Sequence, residues 1–141
     1  MPASQETNAP AQTLQQQRAK YALEAVNALL DTDVNQKELK SYAAGFPAMI
    51  RMNGLGQAAA FYFSQGKTYK QLYHLLSEWL KKTGQPYQNM DLLDGITQKG
   101  MDEYRLAQVE AFLLLDWVKR FVKAKVVDQK EENGEDKDKG E

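Results

Sequence analysis

Few side chains in this sequence could act as nucleophile, general acid–base or metal ligand. The 141 residues contain no Cys. Thiolate nucleophiles, Cys–His machinery, disulfides and Cys-built zinc sites are therefore excluded. The single imidazole is His74, so any histidine chemistry must pass through it. It sits in LYHLLSEWL, flanked by apolar residues on an amphipathic helical stretch. An active site needs a constellation of partners, and one His cannot supply the usual metal ligand set, so His74 reads as a surface or helix-boundary residue. Two carboxylate pairs, Asp91 with Asp94 and Asp102 with Glu103, fall at helix starts, where the macrodipole favours acids. They read as capping groups. These subtractions leave no catalytic residue and predict no enzyme, no metal, no cofactor and no small-molecule substrate.

Anion binding is the chemistry that remains. The segment Asn53-Gly54-Leu55-Gly56-Gln57 resembles a glycine-rich phosphate turn. It lacks the Lys-Ser/Thr ending of a P-loop, and no strand precedes it. It fits a junction between helices better, although an open helix N-terminus there would accept a phosphate oxygen. The cations carry a clearer signal. The formal net charge is −1, which at first argues against binding nucleic acid. Between Thr13 and Val127, however, there are 15 Lys and Arg against 11 Asp and Glu, a net of +4. Residues 128–141 hold seven acids and three lysines, a net of −4. A basic body is joined to an acidic end. Basic groups contact phosphates, and the nearby Tyr21, Tyr42, Tyr69 and Tyr73 offer rings for stacking. The same charges also suit solvated helix faces.

The elements that must position these groups read as helices. Residues 1–12 are polar and without period, and 128–141 have no apolar residue, so both ends are expected to be disordered and 13–127 to form the helical domain. The first helix spans about Thr13 to Leu30, with Thr13 as N-cap and Asp31-Thr32-Asp33 as its stop. Asn35 caps a second helix bearing Leu39, Tyr42, Ala43 and Phe46. Pro47 is expected to kink or split it, and Gly54 to end the next piece in the left-handed region. A helix over about Leu55–Ser64 carries Ala58, Ala59 and Ala60 for close packing. Another, Tyr69 to Lys82, presents Leu72, Leu75, Leu76, Trp79 and Leu80 on one face and ends at Thr83-Gly84-Gln85-Pro86. A short helix is expected over Asp91–Gln98. The longest runs from Met101 to Val127, apolar nearly all round from Val109 to Val118, as a central core helix would be. No segment alternates with period two. The fold class is all-α, a compact bundle of five to six helices. No signal peptide or membrane-spanning run is read, which predicts a cytoplasmic protein that does not engage a membrane.

The stretch Leu39–Gly66 resembles the small helical subunit of the type III-B CRISPR effector, the Cmr complex. The matching residues are Lys40 and Tyr42, Pro47 with Ala48 and Ile50, Asn53-Gly54-Leu55, and Gln57 with Ala60 and Phe61. Glu110–Ala124 resembles the family's last helix through Trp117, Lys119, Arg120 and Phe121, and Arg18 fits the first. The likeness covers about residues 13–127. It implies a non-catalytic subunit of an RNA-guided, RNA-targeting ribonucleoprotein of antiviral defence. It further implies stacking in a short filament and contact with the guide–target duplex, chiefly on the target strand, with cleavage left to other subunits. The implied partners are other Cmr subunits, further copies of itself, guide RNA and target RNA. Phosphate and shape contacts suit that task, because guide pairing supplies the sequence specificity.

On this reading Arg18, Lys40 and Arg51 are the first candidates for RNA contact, followed by Lys81, Lys82 and Arg120. Pro47, Asn53, Gly54 and Gln57 are assigned to turns and packing. The alternative is a helical protein–protein scaffold with solvated charges and no direct RNA contact. It would expose apolar residues for stacking, with Tyr62, Phe63 and Met52 as candidates.

Overall fold

Local capping starts the first two helices where the sequence predicts. Thr13 Oγ1 accepts the Gln16 N–H at 3.1 Å, and Gln16 Oε1 accepts the Thr13 N–H at 2.9 Å. This reciprocal pair satisfies two otherwise orphan donors and opens α1, Leu14–Leu30. Asn35 Oδ1 accepts the Glu38 N–H at 3.0 Å and opens α2, Gln36–Ser64. The chain continues through α3 (Lys67–Leu80), α4 (Leu92–Gln98) and α5 (Met101–Lys125). This computed structural model describes residues 10–126; the expected disorder of residues 1–9 and of 128–141 lies outside the described residues. Among the described residues there is no strand, and no helix is long and apolar enough to cross a membrane. Among the described residues the all-α class holds, with five helices.

α2 corrects one expectation. Pro47 does not split it: the backbone dihedrals stay helical through the buried Pro47, and the break falls at Gly54, with φ 85° and ψ 161°. An interior proline costs about 3 kcal/mol of helix propensity. Burial of the ring in a packed seam overrides that cost, as tertiary context commonly does. Gly54 takes the predicted left-handed φ, so α2 is two rods joined there. Only glycine reaches this φ without strain, and a Cβ would meet the Tyr104 hydroxyl at 3.2 Å. Gln57, expected at the turn, is helical and exposed, and packs no core.

α5 packs against α1, α2 and α3, while α3 also packs on α2 and α4. Leu39, Phe46, Ile50, Leu72, Leu76, Leu80, Leu114 and Leu115 are among the fully enclosed side chains. Tyr62, a candidate for an exposed stacking residue on the scaffold reading, is buried. Its ring stacks on Phe46 at 3.9 Å, and its hydroxyl donates to the Tyr42 carbonyl at 2.7 Å. The centre of α5 is covered on one side only. Ala107, Ala111, Leu114, Leu115 and Val118 are buried, whereas Leu106, Val109 and Leu113 are 61%, 57% and 44% exposed.

The connection from α3 to α4 is held by a hydroxyl relay. Asp91, expected as a capping group, makes no side-chain cap bond. Its carboxylate instead accepts from Tyr73 Oη at 2.7 Å and Ser77 Oγ at 3.0 Å. Those hydroxyls in turn accept the Leu93 and Leu92 N–H groups, each at 3.0 Å. Beside the relay the enclosed Tyr87 ring lies against Gly95, where a Cβ would sit 2.4 Å from Tyr87 Cγ. The Tyr87 hydroxyl has no hydrogen-bond partner among the described residues, and burial pushes its pKa up to about 12.

Candidate nucleic-acid interface

The helices α2 and α5 run antiparallel. Gly56 meets Tyr104, Leu55 meets Gln108, and Arg51 lies over the Phe112 ring at 5.6 Å. Each step toward the start of α2 therefore moves toward the end of α5. One end of this seam is closed. After the break at Gly54, the Leu55 N–H donates to Gln108 Oε1 at 3.0 Å and the Gly56 N–H to Tyr104 Oη at 2.9 Å. The open helix N-terminus considered as a phosphate acceptor is thus occupied by side chains of α5.

The other end opens into a groove of about 910 Å3. Pro47, Phe112, Leu113 and Trp117 form its apolar floor, with Arg18, Arg51, Lys119, Arg120 and Asp116 among the side chains around it. The Trp117 ring is stacked on Phe121 at 5.4 Å, which fixes its plane. Ala44, Pro47, Ala48 and Arg51 come from one face of α2, at three- and four-residue spacing. Lys40 stands one turn earlier on that same face, half-buried.

The predicted cations therefore separate. Arg18, Arg51 and Arg120 are brought together at the groove and Lys119 joins them, while Lys40 lies outside the lining, one helical turn before Ala44. Lys81 and Lys82 follow α3 elsewhere. Lys81 pairs with Glu78 at 3.4 Å, and Lys82 lies over the Tyr21 ring at 5.3 Å. Within the groove the cations differ in availability. Arg51 and Lys119 are exposed and make no ion pair with a described residue. Arg120 holds Asp116 at 3.2 Å, with side chains 71% and 60% exposed, a pair that solvent screens strongly.

Arg18 is engaged differently. Its Nε and Nη2 donate to the two oxygens of Glu110 at 2.6 and 2.9 Å, and Trp79 Nε1 adds a third bond to Glu110 Oε1 at 2.7 Å. Only 12% of the Arg18 side chain is exposed. Its charge is neutralised inside the protein, which the local sequence could not signal because Glu110 lies far along the chain. Lys119 was legible through the resemblance of the last helix, but only the groove places it beside Arg51 and Arg120.

Elsewhere, no group of three or more His, Asp or Glu among the described residues is placed to hold a metal ion. His74 is on the surface, edge-on to Phe63 at 6.1 Å. The carboxyl of Asp91 is raised by burial, but the hydrogen bonds from Tyr73, Ser77 and the Leu93 N–H, with Lys81 nearby, hold it below the ordinary value.

Residues 14–125 match the family described as CRISPR-associated protein (Cas_Cmr5). The fold is similar to the crystal structure of a CRISPR-associated Cmr5 family protein from Thermus thermophilus. That comparison has a TM-score of 0.71 at 26% identity, covering 82% of this chain and 100% of that one. The match spans all five helices, including both walls of the groove, so the chain belongs to the Cmr5 family and is a small subunit of the type III-B Cmr complex.

Proposed function

We propose that this subunit is a non-catalytic RNA-contacting element, and that the α2–α5 groove is the surface that meets target RNA in the guide–target duplex. The observation that carries this reading is the convergence of Arg51, Lys119 and Arg120 on one groove, with Lys40 one helical turn before Ala44 on α2. An open basic groove with an apolar floor suits a phosphate backbone of any sequence, since Coulombic contact carries no base preference. Arg18 holds the groove wall in place through Glu110 and contributes little direct charge. Lys81 and Lys82 lie outside the groove lining and serve RNA less. Cleavage belongs to other subunits of the complex.

Target capture by the reconstituted complex over a salt series tests the assignment. Joint substitution of Arg51, Lys119 and Arg120 by Ala is expected to weaken capture and to flatten its salt dependence by roughly one unit of log–log slope per lost phosphate contact. Unchanged capture and slope would remove the groove from consideration.

Stacking is the second part of the proposal. Leu106, Val109 and Leu113 form an exposed apolar stripe on α5 that ends at the groove, and Met52 is 81% exposed. These residues replace Tyr62 as candidates for contact with neighbouring copies or other Cmr subunits. Phe63 is only 40% exposed and rests edge-on against Tyr73. A subunit that stacks through this stripe and lacks RNA contact is the competing scaffold reading. It predicts that Leu106→Ser with Val109→Ser dismantles the assembly, while the groove substitutions leave RNA capture intact.

A further inference from the structure

The basic groove is matched in charge by a segment of the same chain. Residues 128–141, DQKEENGEDKDKGE, carry seven acids against three lysines and no apolar side chain. They follow almost directly on α5, which ends at Lys125, and α5 supplies one wall of the groove. We propose that this acidic segment docks on the α2–α5 groove of the free subunit, occupying the surface later taken by phosphate.

Charge, distance and composition support the same occupant. The body carries +4 and the segment −4. At the groove, Arg51 and Lys119 make no ion pair with a described residue, and Arg120 has only an exposed, screened one. From Lys125 back to Leu113 the helix rises about 18 Å. A polar chain of 14 residues has an end-to-end distance of about 20 Å, so its acids reach the whole groove without being fully stretched. Tethering places them there at an effective concentration on the order of millimolar, enough to make weak Coulombic contacts persist. With nothing apolar to set against Leu113 or Trp117, the segment binds by charge alone and yields to salt or to a denser polyanion. Docking stands on the charge and position of the groove; competition with RNA rests additionally on the function proposed above.

The test uses the full chain. Asp128, Asp136 and Asp138 are changed to Asn, and Glu131, Glu132, Glu135 and Glu141 to Gln, which removes charge while preserving length and size. Amide spectra of the two proteins are compared in low salt. Docking predicts shifts at Ala48, Arg51 and Leu113 and at the Trp117 indole N–H, none at Tyr73 or Asp91, and their disappearance in about 0.5 M salt, where screening is within a few Å. Unmoved groove signals overturn the proposal, and so do shifts confined to the last turn of α5.

A short A-form RNA duplex of arbitrary sequence then separates this proposal from the one it extends. With both correct, the neutralised chain binds the duplex about tenfold more tightly in low salt, and the advantage vanishes in high salt. If neutralisation moves the groove signals but the duplex does not, the segment docks and the RNA assignment fails. If the duplex moves them and neutralisation does not, docking fails and the RNA assignment survives.

Discussion

Glu110 and Asp116 stand on the same helix, and each holds an arginine, at 2.6 Å and 3.2 Å. Their surroundings differ. The Arg18–Glu110 pair is 12% and 11% exposed, bidentate, and joined by the Trp79 indole; the Arg120–Asp116 pair is 71% and 60% exposed and singly bonded. Enclosed charges have lost their water and depend on each other, whereas exposed ones exchange partners readily. One arginine is thereby committed to holding α1, α3 and α5 together, and the other remains able to turn to a phosphate. The sequence ranks Arg18 ahead of Arg120 as a candidate for RNA contact; burial reverses that order, enclosing Arg18 in an ion pair and leaving Arg120 at the surface.

The strongest way to break this comparison is to orphan the enclosed charge. Glu110→Ala leaves Arg18 buried without its carboxylate and is expected to cost about 3–5 kcal/mol in urea unfolding. The double variant Arg18→Met with Glu110→Leu should restore most of that loss. If it does not, the pair contributes more than mutual neutralisation.

A carboxylate of intermediate exposure sharpens the contrast. Asp91→Asn disturbs the relay through Tyr73 and Ser77 and should cost about 1–3 kcal/mol at neutral pH. Because hydrogen bonding holds the Asp91 carboxyl below its ordinary value, its contribution is complete above the unfolded value of about 4 and is lost as pH falls through the folded one. The stability gap between wild type and variant should therefore narrow in acid below that value. A gap constant from pH 6 to pH 2 would show that the hydrogen bonds favour neither protonation state.

The smallest effect on stability is expected at the exposed pair. Asp116→Asn should alter unfolding by less than about 1 kcal/mol. It should nonetheless strengthen RNA capture by the complex at low salt, because Arg120 loses its competing anion. A large loss of stability there would remove the distinction between the two pairs.

How much of this was readable beforehand follows the range of the interactions. Thr13 and Asn35 act within three residues, and both caps are where the residue types place them. The face of Leu72, Leu76 and Leu80 and the left-handed Gly54 are likewise local properties. Pro47 misled because its intrinsic penalty is local while the packing that overrides it is not. In α5, Leu113 and Leu114 are chemically identical, yet one is 44% exposed and the other enclosed; only the positions of α1 and α2 decide between them. The site was legible as a class of residue and a pair of segments. The commitment of Arg18 to Glu110 required the packing of α1 on α5, and the placement of Lys119 beside Arg51 required the α2–α5 register.

The approach of Tyr87 to Gly95 has a consequence for how the molecule opens. α4 has seven residues, too few to hold a helix alone in water. Its first amides are held by hydroxyls of α3, and its middle is seated on a ring that tolerates no side chain opposite it. It therefore exists only while docked and should behave as a single cooperative unit. In native-state hydrogen exchange, the amides of Leu92, Leu93 and Gly95 would exchange with one common opening energy, well below that of the α2–α5 seam.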